Sequence, residues 1–169
     1  NVYGKTKLAG EKALQEIMPT DAIIIRTSWL YSEFGNNFVK TMLRLGKERD
    51  EINVVSDQIG SPTYATDLAN AILEIIKNKE FKEVSQATQI YHYSNKGEIS
   101  WYDFAKEIFK IAEVGCKVNP IATQQYPAPA QRPKNTLMSK DKIIEKFEVE
   151  ILDWKESLQA CIKNIENKI

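Results

Sequence analysis

The sequence predicts an α/β protein with a mainly parallel sheet. Stretches with the helical period alternate with short β-branched runs, the order that builds crossover units. Residues 22–27 (AIIIRT) are nearly all apolar, as in a strand covered on both faces of a parallel sheet. Proline, glycine and polar clusters separate one segment from the next.

Residues 3–18 read as a helix, with Leu14, Ile17 and Met18 on one stripe and Pro19 as its stop. After the strand at 22–27, residues 37–49 return to helical spacing through Phe38, Met42 and Leu45. Residues 52–55 form a second strand, and 56–64 a turn-rich stretch with Gly60 and Pro62. Thr66 is placed to cap a helix carrying Leu68, Ala69, Ile72, Leu73 and Ile76. Residues 90–94 alternate as a third strand. Ser100 and Asp103 resemble a capping box opening a helix to Glu113, with Trp101, Phe104, Ala105, Ile108 and Ile111 inward. Residues 117–121 are a fourth strand, and the Pro- and Gln-rich residues 123–132 an ordered loop. Asp153 and Glu156 repeat the capping logic before a last helix whose stripe is Trp154, Leu158, Cys161, Ile162, Ile165 and Ile169.

Composition excludes several function classes. The 169 residues suit one domain of ordinary size. Twenty-three basic and 23 acidic side chains leave no net charge, against a dedicated nucleic-acid binder. The longest aliphatic run, 22–25, is far short of the ~20 residues of a membrane helix, so a soluble chain without membrane attachment is expected. Cys116 and Cys161 are too distant for a CxxC site and read as buried thiols in a reducing compartment. His92, the single histidine, rules out a multi-histidine metal centre and lies in a strand-like run, where a structural role is expected. The seven glycines stand at 4, 10, 35, 46, 60, 97 and 115, so neither a GxGxxG turn nor a P-loop is present. A first residue other than methionine, followed at once by a helix, suggests an excerpt of a longer polypeptide.

The most informative chemistry is at the start, in Tyr3-Gly4-Lys5-Thr6-Lys7. Residues four apart share a helix face, so Tyr3 and Lys7 project into the same space. A phenol exchanges protons poorly near neutrality, and a neighbouring ammonium stabilises its phenolate. Such a pair can protonate a carbonyl oxygen while a hydride reaches its carbon.

Residues 3–11, YGKTKLAGE, resemble the catalytic helix of the extended short-chain dehydrogenase/reductases that act on nucleotide sugars. Within that group four further segments are similar to the dTDP-4-dehydrorhamnose reductases: RTSWLY at 26–31, GNNFVKTM at 35–42, DQIGSPT at 57–63 and RPKNT at 132–136. The resemblance implies that residues 1–169 are a single C-terminal segment. It would hold the catalytic helix, the last elements of a Rossmann-like parallel sheet and a smaller nucleotide-sugar-binding α/β subdomain. The N-terminal cofactor-binding half, with its glycine-rich turn and third catalytic hydroxyl, would lie outside the sequence, and the segment alone would be inactive.

By the same resemblance Tyr3 is the general acid toward the C4 oxygen of the keto sugar. Lys7 is its partner and a ligand of the nicotinamide ribose. Thr27 and Ser28, following a strand, suit the nicotinamide end of NADPH or NADH, because ligands bind beyond the carboxyl ends of strands. Trp29 is either a wall of the sugar pocket or a core tryptophan. Asn36, Asn37 and Phe38 open a helix, where a diphosphate would meet free N–H groups, and Asn37 also suits a plain cap with Phe38 in the core. Pro62 belongs to the DQIGSPT segment, and Arg132 offers a forked guanidinium for a diphosphate.

The implied activity is reduction of dTDP-4-dehydro-L-rhamnose to dTDP-L-rhamnose in a cytoplasmic pathway for cell-surface polysaccharide. The rivals are another nucleotide-sugar reductase or epimerase, or a regulatory subunit resembling that of methionine adenosyltransferase. Members of the family can form homodimers, some with a magnesium ion at the contact, and no acidic cluster in the sequence is assignable to that ion.

Overall fold

A computed structural model describes residues 1–78, 81, 87–126 and 132–167. The order begins α1 (Val2–Ile17), β1 (Ile23–Arg26), β2 (Leu30–Tyr31), α2 (Phe38–Glu48), β3 (Glu51–Val55), β4 (Ile59–Gly60) and β5 (Thr63–Tyr64). It continues α3 (Ala65–Lys77), β6 (Gln89–His92), β7 (Ile99–Ser100), α4 (Trp101–Ile111) and β8 (Lys117–Ile121). A 3₁₀ turn at Thr123–Gln125 precedes α5 (Asp141–Phe147) and α6 (Trp154–Glu166).

Among the described residues the strands form four separate pairs instead of one sheet. β1 with β6, β2 with β5 and β3 with β8 are parallel, and β4 with β7 is antiparallel. The expected parallel preference therefore holds pair by pair. Two hydrophobic clusters organise the packing. The larger gathers Val39 and Met42 of α2, Ile52 and Val54 of β3, Phe104, Ala105, Ile108 and Phe109 of α4, and Leu158, Cys161 and Ile162 of α6. The smaller joins Ala71 and Ile75 of α3, Tyr91 of β6 with the following Tyr93, and Ile143 and Phe147 of α5.

Local chemistry sets several helix starts. Ser100 Oγ accepts the Asp103 N–H at 3.0 Å and donates to the Asp103 carboxylate at 2.6 Å, the capping arrangement read from the sequence. Asp153 caps α6 by accepting from Lys155 N–H at 2.9 Å. Both cysteines are buried, and burial pushes the Cys116 thiol up, against reactivity. Among the described residues no helix is long and apolar enough to cross a membrane.

Four readings need correction. Tyr64, not Thr66, precedes the first turn of α3, and no side chain caps that helix. The turn-rich stretch at 56–64 contains β4 and β5, two-residue strands too short to show a period. Most of the stripe predicted for α3 is the outer one, although its Leu68 packs on the smaller cluster. Ala71 and Ile75 are buried, while Leu73 and Ile76 are 53% and 56% exposed, because both sides of this helix are apolar and only one meets α5 and β6. Finally, β1 is half-buried: Ile23 and Ile25 pack on the smaller cluster, but neighbouring α1 has no buried residue, with Ile17 and Met18 facing solvent. The end of the loop at 127–131 and Ile169 lie outside the described residues.

Candidate active site

Tyr3, Lys7 and Glu11 follow each other at four-residue spacing on one face of α1. Glu11 accepts two hydrogen bonds from Arg26, from Nε at 2.7 Å and Nη2 at 2.5 Å. The Arg26 hydrogen bond holds the Glu11 carboxyl below its usual range. Arg26 is the last residue of β1, whereas the chain just after α1 meets the start of β6, where Thr88 N–H donates to Pro19 O at 2.7 Å. These two anchors run α1 antiparallel to β1. Lys7 and Tyr3 therefore lie one and two turns, about 6 and 12 Å, further toward and past the carboxyl end of the strand. Lys7 Nζ sits 5.6 Å from the centroid of the Tyr3 ring, which is 69% exposed and open to a ligand.

Thr27 and Ser28 leave the same strand end, and their hydroxyls are engaged within the protein. Thr27 Oγ1 donates to Thr63 Oγ1 at 3.0 Å, Thr63 Oγ1 donates to Ser28 O at 2.7 Å, and Ser28 Oγ donates to Ser61 O at 2.9 Å. The segment after β1 is thereby laced to the segment 61–63. Pro62 is fully buried, and its carbonyl accepts from Asn95 N–H at 3.1 Å. Asn95 in turn accepts from Tyr64 N–H and donates to Asp67 and Ser157, so this strand end rests on a buried polar network.

Trp29 has φ 49°, in the left-handed region that bulky side chains avoid at a cost of about 1–3 kcal/mol. The bend lays its indole against Trp101, ring centroids 3.6 Å apart and planes 13° from parallel. Gly60 lies on the same indole: a Cβ there would fall 2.6 Å from Trp29 Cε2 and 2.5 Å from Thr136 Oγ1. Trp101 also meets Phe38 at 4.5 Å, and Phe38 stacks on Phe104 at 5.7 Å. Asn37 is the cap of α2, its Oδ1 accepting from Lys40 N–H at 3.2 Å and its Nδ2 donating to Ser32 O at 2.7 Å, while Asn36 is exposed.

Arg132 is exposed and stands two residues before a segment pinned to β4. Ile59 N–H donates to Lys134 O at 2.8 Å, and Thr136 N–H donates to Ile59 O at 2.9 Å. The earlier end of that excursion is held nearby. Asp57 Oδ1 accepts from Thr123 N–H at 2.8 Å and Thr123 Oγ1 at 2.6 Å, and these bonds, the hydroxyl first, keep its carboxyl below the usual range. A continuous set of contacts thus joins Phe38, Trp101, Trp29, Gly60 and Thr136, linking the candidate segments at 26–31, 35–42, 57–63 and 132–136. Among the described residues no group of three or more His, Cys, Asp or Glu is gathered to hold a metal.

The pattern of the RmlD substrate binding domain matches residues 1–167. The chain belongs to the RmlD substrate-binding domain family. A dTDP-4-dehydrorhamnose reductase of Aggregatibacter actinomycetemcomitans is 44% identical over 97% of this chain. The chain spans 56% of that relative's length. The crystal structure of a dTDP-4-dehydrorhamnose reductase from Bacillus anthracis in complex with NADP superimposes with a TM-score of 0.86 at 41% identity, over 97% of this chain and 55% of that one. An ortholog from Clostridium acetobutylicum gives 0.87 at 42% identity, over 97% and 55%. The Rossmann-like reading of the fold agrees with both structures.

Within this RmlD substrate-binding domain, sequence reasoning missed Glu11 as the tie to β1, Thr63 and Asn95 as the pins of the loop, and Trp101 as the link between two candidate residues. Glu11 was visible only as a letter of the YGKTKLAGE motif. The partners of Thr63 and Asn95 lie 28 to 62 residues away, and no local spacing reports them. Trp101 did show a signal, an aromatic at the first position after a capping serine, which read equally well as core.

Proposed function

We propose that this chain is the C-terminal portion of an NAD(P)H-dependent reductase that converts dTDP-4-dehydro-L-rhamnose to dTDP-L-rhamnose. The observation that carries the reading is that α1 runs antiparallel to β1 and is tied through Glu11 to Arg26, the residue before Thr27 and Ser28, so its Tyr3–Lys7 face extends past the carboxyl end of the strand. That is where a ligand meets an open parallel sheet. The residues fit the nicotinamide end of the cofactor only, since the chain has no glycine-rich turn for a pyrophosphate. When bound, the reduced nicotinamide supplies the hydride that adds to C4 of the sugar. The Tyr3 hydroxyl donates its proton to the C4 oxygen, so the ketone becomes an alcohol, and Lys7 stabilises the phenolate left behind and engages the nicotinamide ribose. Thr27 and Ser28 act through backbone position, because their hydroxyls already have partners.

On this reading the nucleotide sugar lies along the connected segments. Trp29 contacts the sugar, while Asn36, Asn37, Phe38 and Arg132 face the diphosphate and Pro62 shapes the loop from within. The β1–β6 pair with α1 and α3 forms the cofactor side and the larger cluster the substrate side. The reading includes a cytoplasmic setting and a homodimer, with magnesium only as the family resemblance implies.

Arg132 supplies the test. In the full-length protein, Arg132→Ala should weaken binding of the dTDP-sugar by about 1.5–3 kcal/mol, the scale of a hydrogen bond to a charged group. KM should rise more than kcat falls. Unchanged affinity by calorimetry would remove Arg132 from the site, and absence of keto-sugar reduction by the unmodified protein would overturn the proposal.

A further inference from the structure

We infer that Trp101 is a positioning residue of the nucleotide-sugar site, holding the Trp29 indole in the orientation in which it meets the sugar. The inference rests on the proposed function and extends it to a residue outside every segment that suggested that function. Trp29 and Trp101 overlap almost face to face, with centroids 3.6 Å apart. Aromatic pairs left to themselves prefer offset or edge-on contacts, so the surroundings impose this one.

Those surroundings are visible. The backbone at Trp29 is bent into the left-handed region, and Gly60 leaves no room for a side chain beside the indole. Trp101 is the first residue of α4, its backbone fixed by the Ser100–Asp103 cap, and its ring is further held by Phe38. Both indoles remain only partly buried, so the pair borders the surface instead of filling the core. A ring pinned by helix, glycine and strained backbone is preorganised, and preorganisation lowers the ordering a ligand must impose.

The experiment uses the full-length protein with Trp101→Leu, Trp101→Met and Trp101→Phe. Binding of a dTDP-sugar and of dTDP alone is measured by calorimetry, alongside KM, kcat and far-ultraviolet circular dichroism. Stacked indoles give an exciton couplet, and Trp154, 6% exposed within the larger cluster, serves as an unstacked background. Trp101→Leu and Trp101→Met should abolish the couplet and raise KM and Kd for the dTDP-sugar about three- to tenfold, with a smaller change in kcat. Affinity for dTDP alone should stay within about twofold, and Trp101→Phe should restore sugar affinity through its aromatic face. Wild-type KM in both aliphatic variants, equal losses for dTDP and the dTDP-sugar, or a Trp101→Phe protein as impaired as Trp101→Leu would each overturn the inference and leave the proposed function standing. An unmodified protein that binds neither ligand would overturn both.

Discussion

Gly60 shows how one absent side chain supports the site. A methyl group there would collide with the Trp29 ring and with Thr136 Oγ1, so glycine is required by close approach and not by a positive φ. Gly60→Ala should destabilise the chain by about 1–3 kcal/mol, the usual penalty for overpacking, and displace the indole. Thermal unfolding together with tryptophan fluorescence checks this, and an unshifted midpoint with an unchanged spectrum would show that the loop relaxes freely. The contrast with Thr27 and Ser28 is instructive. Their position after a strand was legible, but their hydroxyls turn inward to Thr63 and Ser61, contacts that only folding creates. Pro62 is similar: its loop is part of the proposed site, yet its ring is buried.

Helix α1 has no buried residue, and its Glu11–Arg26 pair ties it to β1. Because the folded Glu11 pKa is depressed, this contribution is complete above the ordinary glutamate value and is lost as pH falls through the lower folded value. Arg26→Met should therefore cost at most about 1 kcal/mol at neutral pH, since the arginine is solvent-screened, and should flatten the acid limb of the stability profile. A variant whose loss is the same at pH 3 and pH 7 would contradict the assignment. Elements with strong local signals were readable: the YxxxK helix, the AIIIRT strand, and the helices capped by Ser100 and Asp153. β2, β4, β5 and β7 were not, because two-residue strands have no period and exist only through their partners. Helix α5 went unread as well, since it is seven residues long and no side chain caps it. For α3 the period was read correctly and the face wrongly except at Leu68, because two apolar stripes compete and the sequence does not say which one α5 will cover.

For the molecule as a whole, Trp29, Phe38 and Trp101 pack on the larger cluster and Ile23 and Ile25 of β1 on the smaller one, while the face of α1 has no buried residue. Ile72, Leu73 and Ile76 of α3 and Leu8, Ile17 and Met18 around α1 are exposed, and large apolar side chains left in water favour association. The 169-residue chain by itself should self-associate and show no keto-sugar reduction, which light scattering and a turnover assay would test. A monodisperse monomer at high concentration would mean that this face is already satisfied. The central claim concerns the tyrosine at the start of α1, and the most direct measurement is the steady-state reduction of dTDP-4-dehydro-L-rhamnose by the full-length protein and its Tyr3→Phe variant. Removing one hydroxyl should lower kcat by about 10²–10⁴-fold with little change in dTDP-sugar affinity. A Tyr3→Phe enzyme that turns over at the wild-type rate would contradict the account.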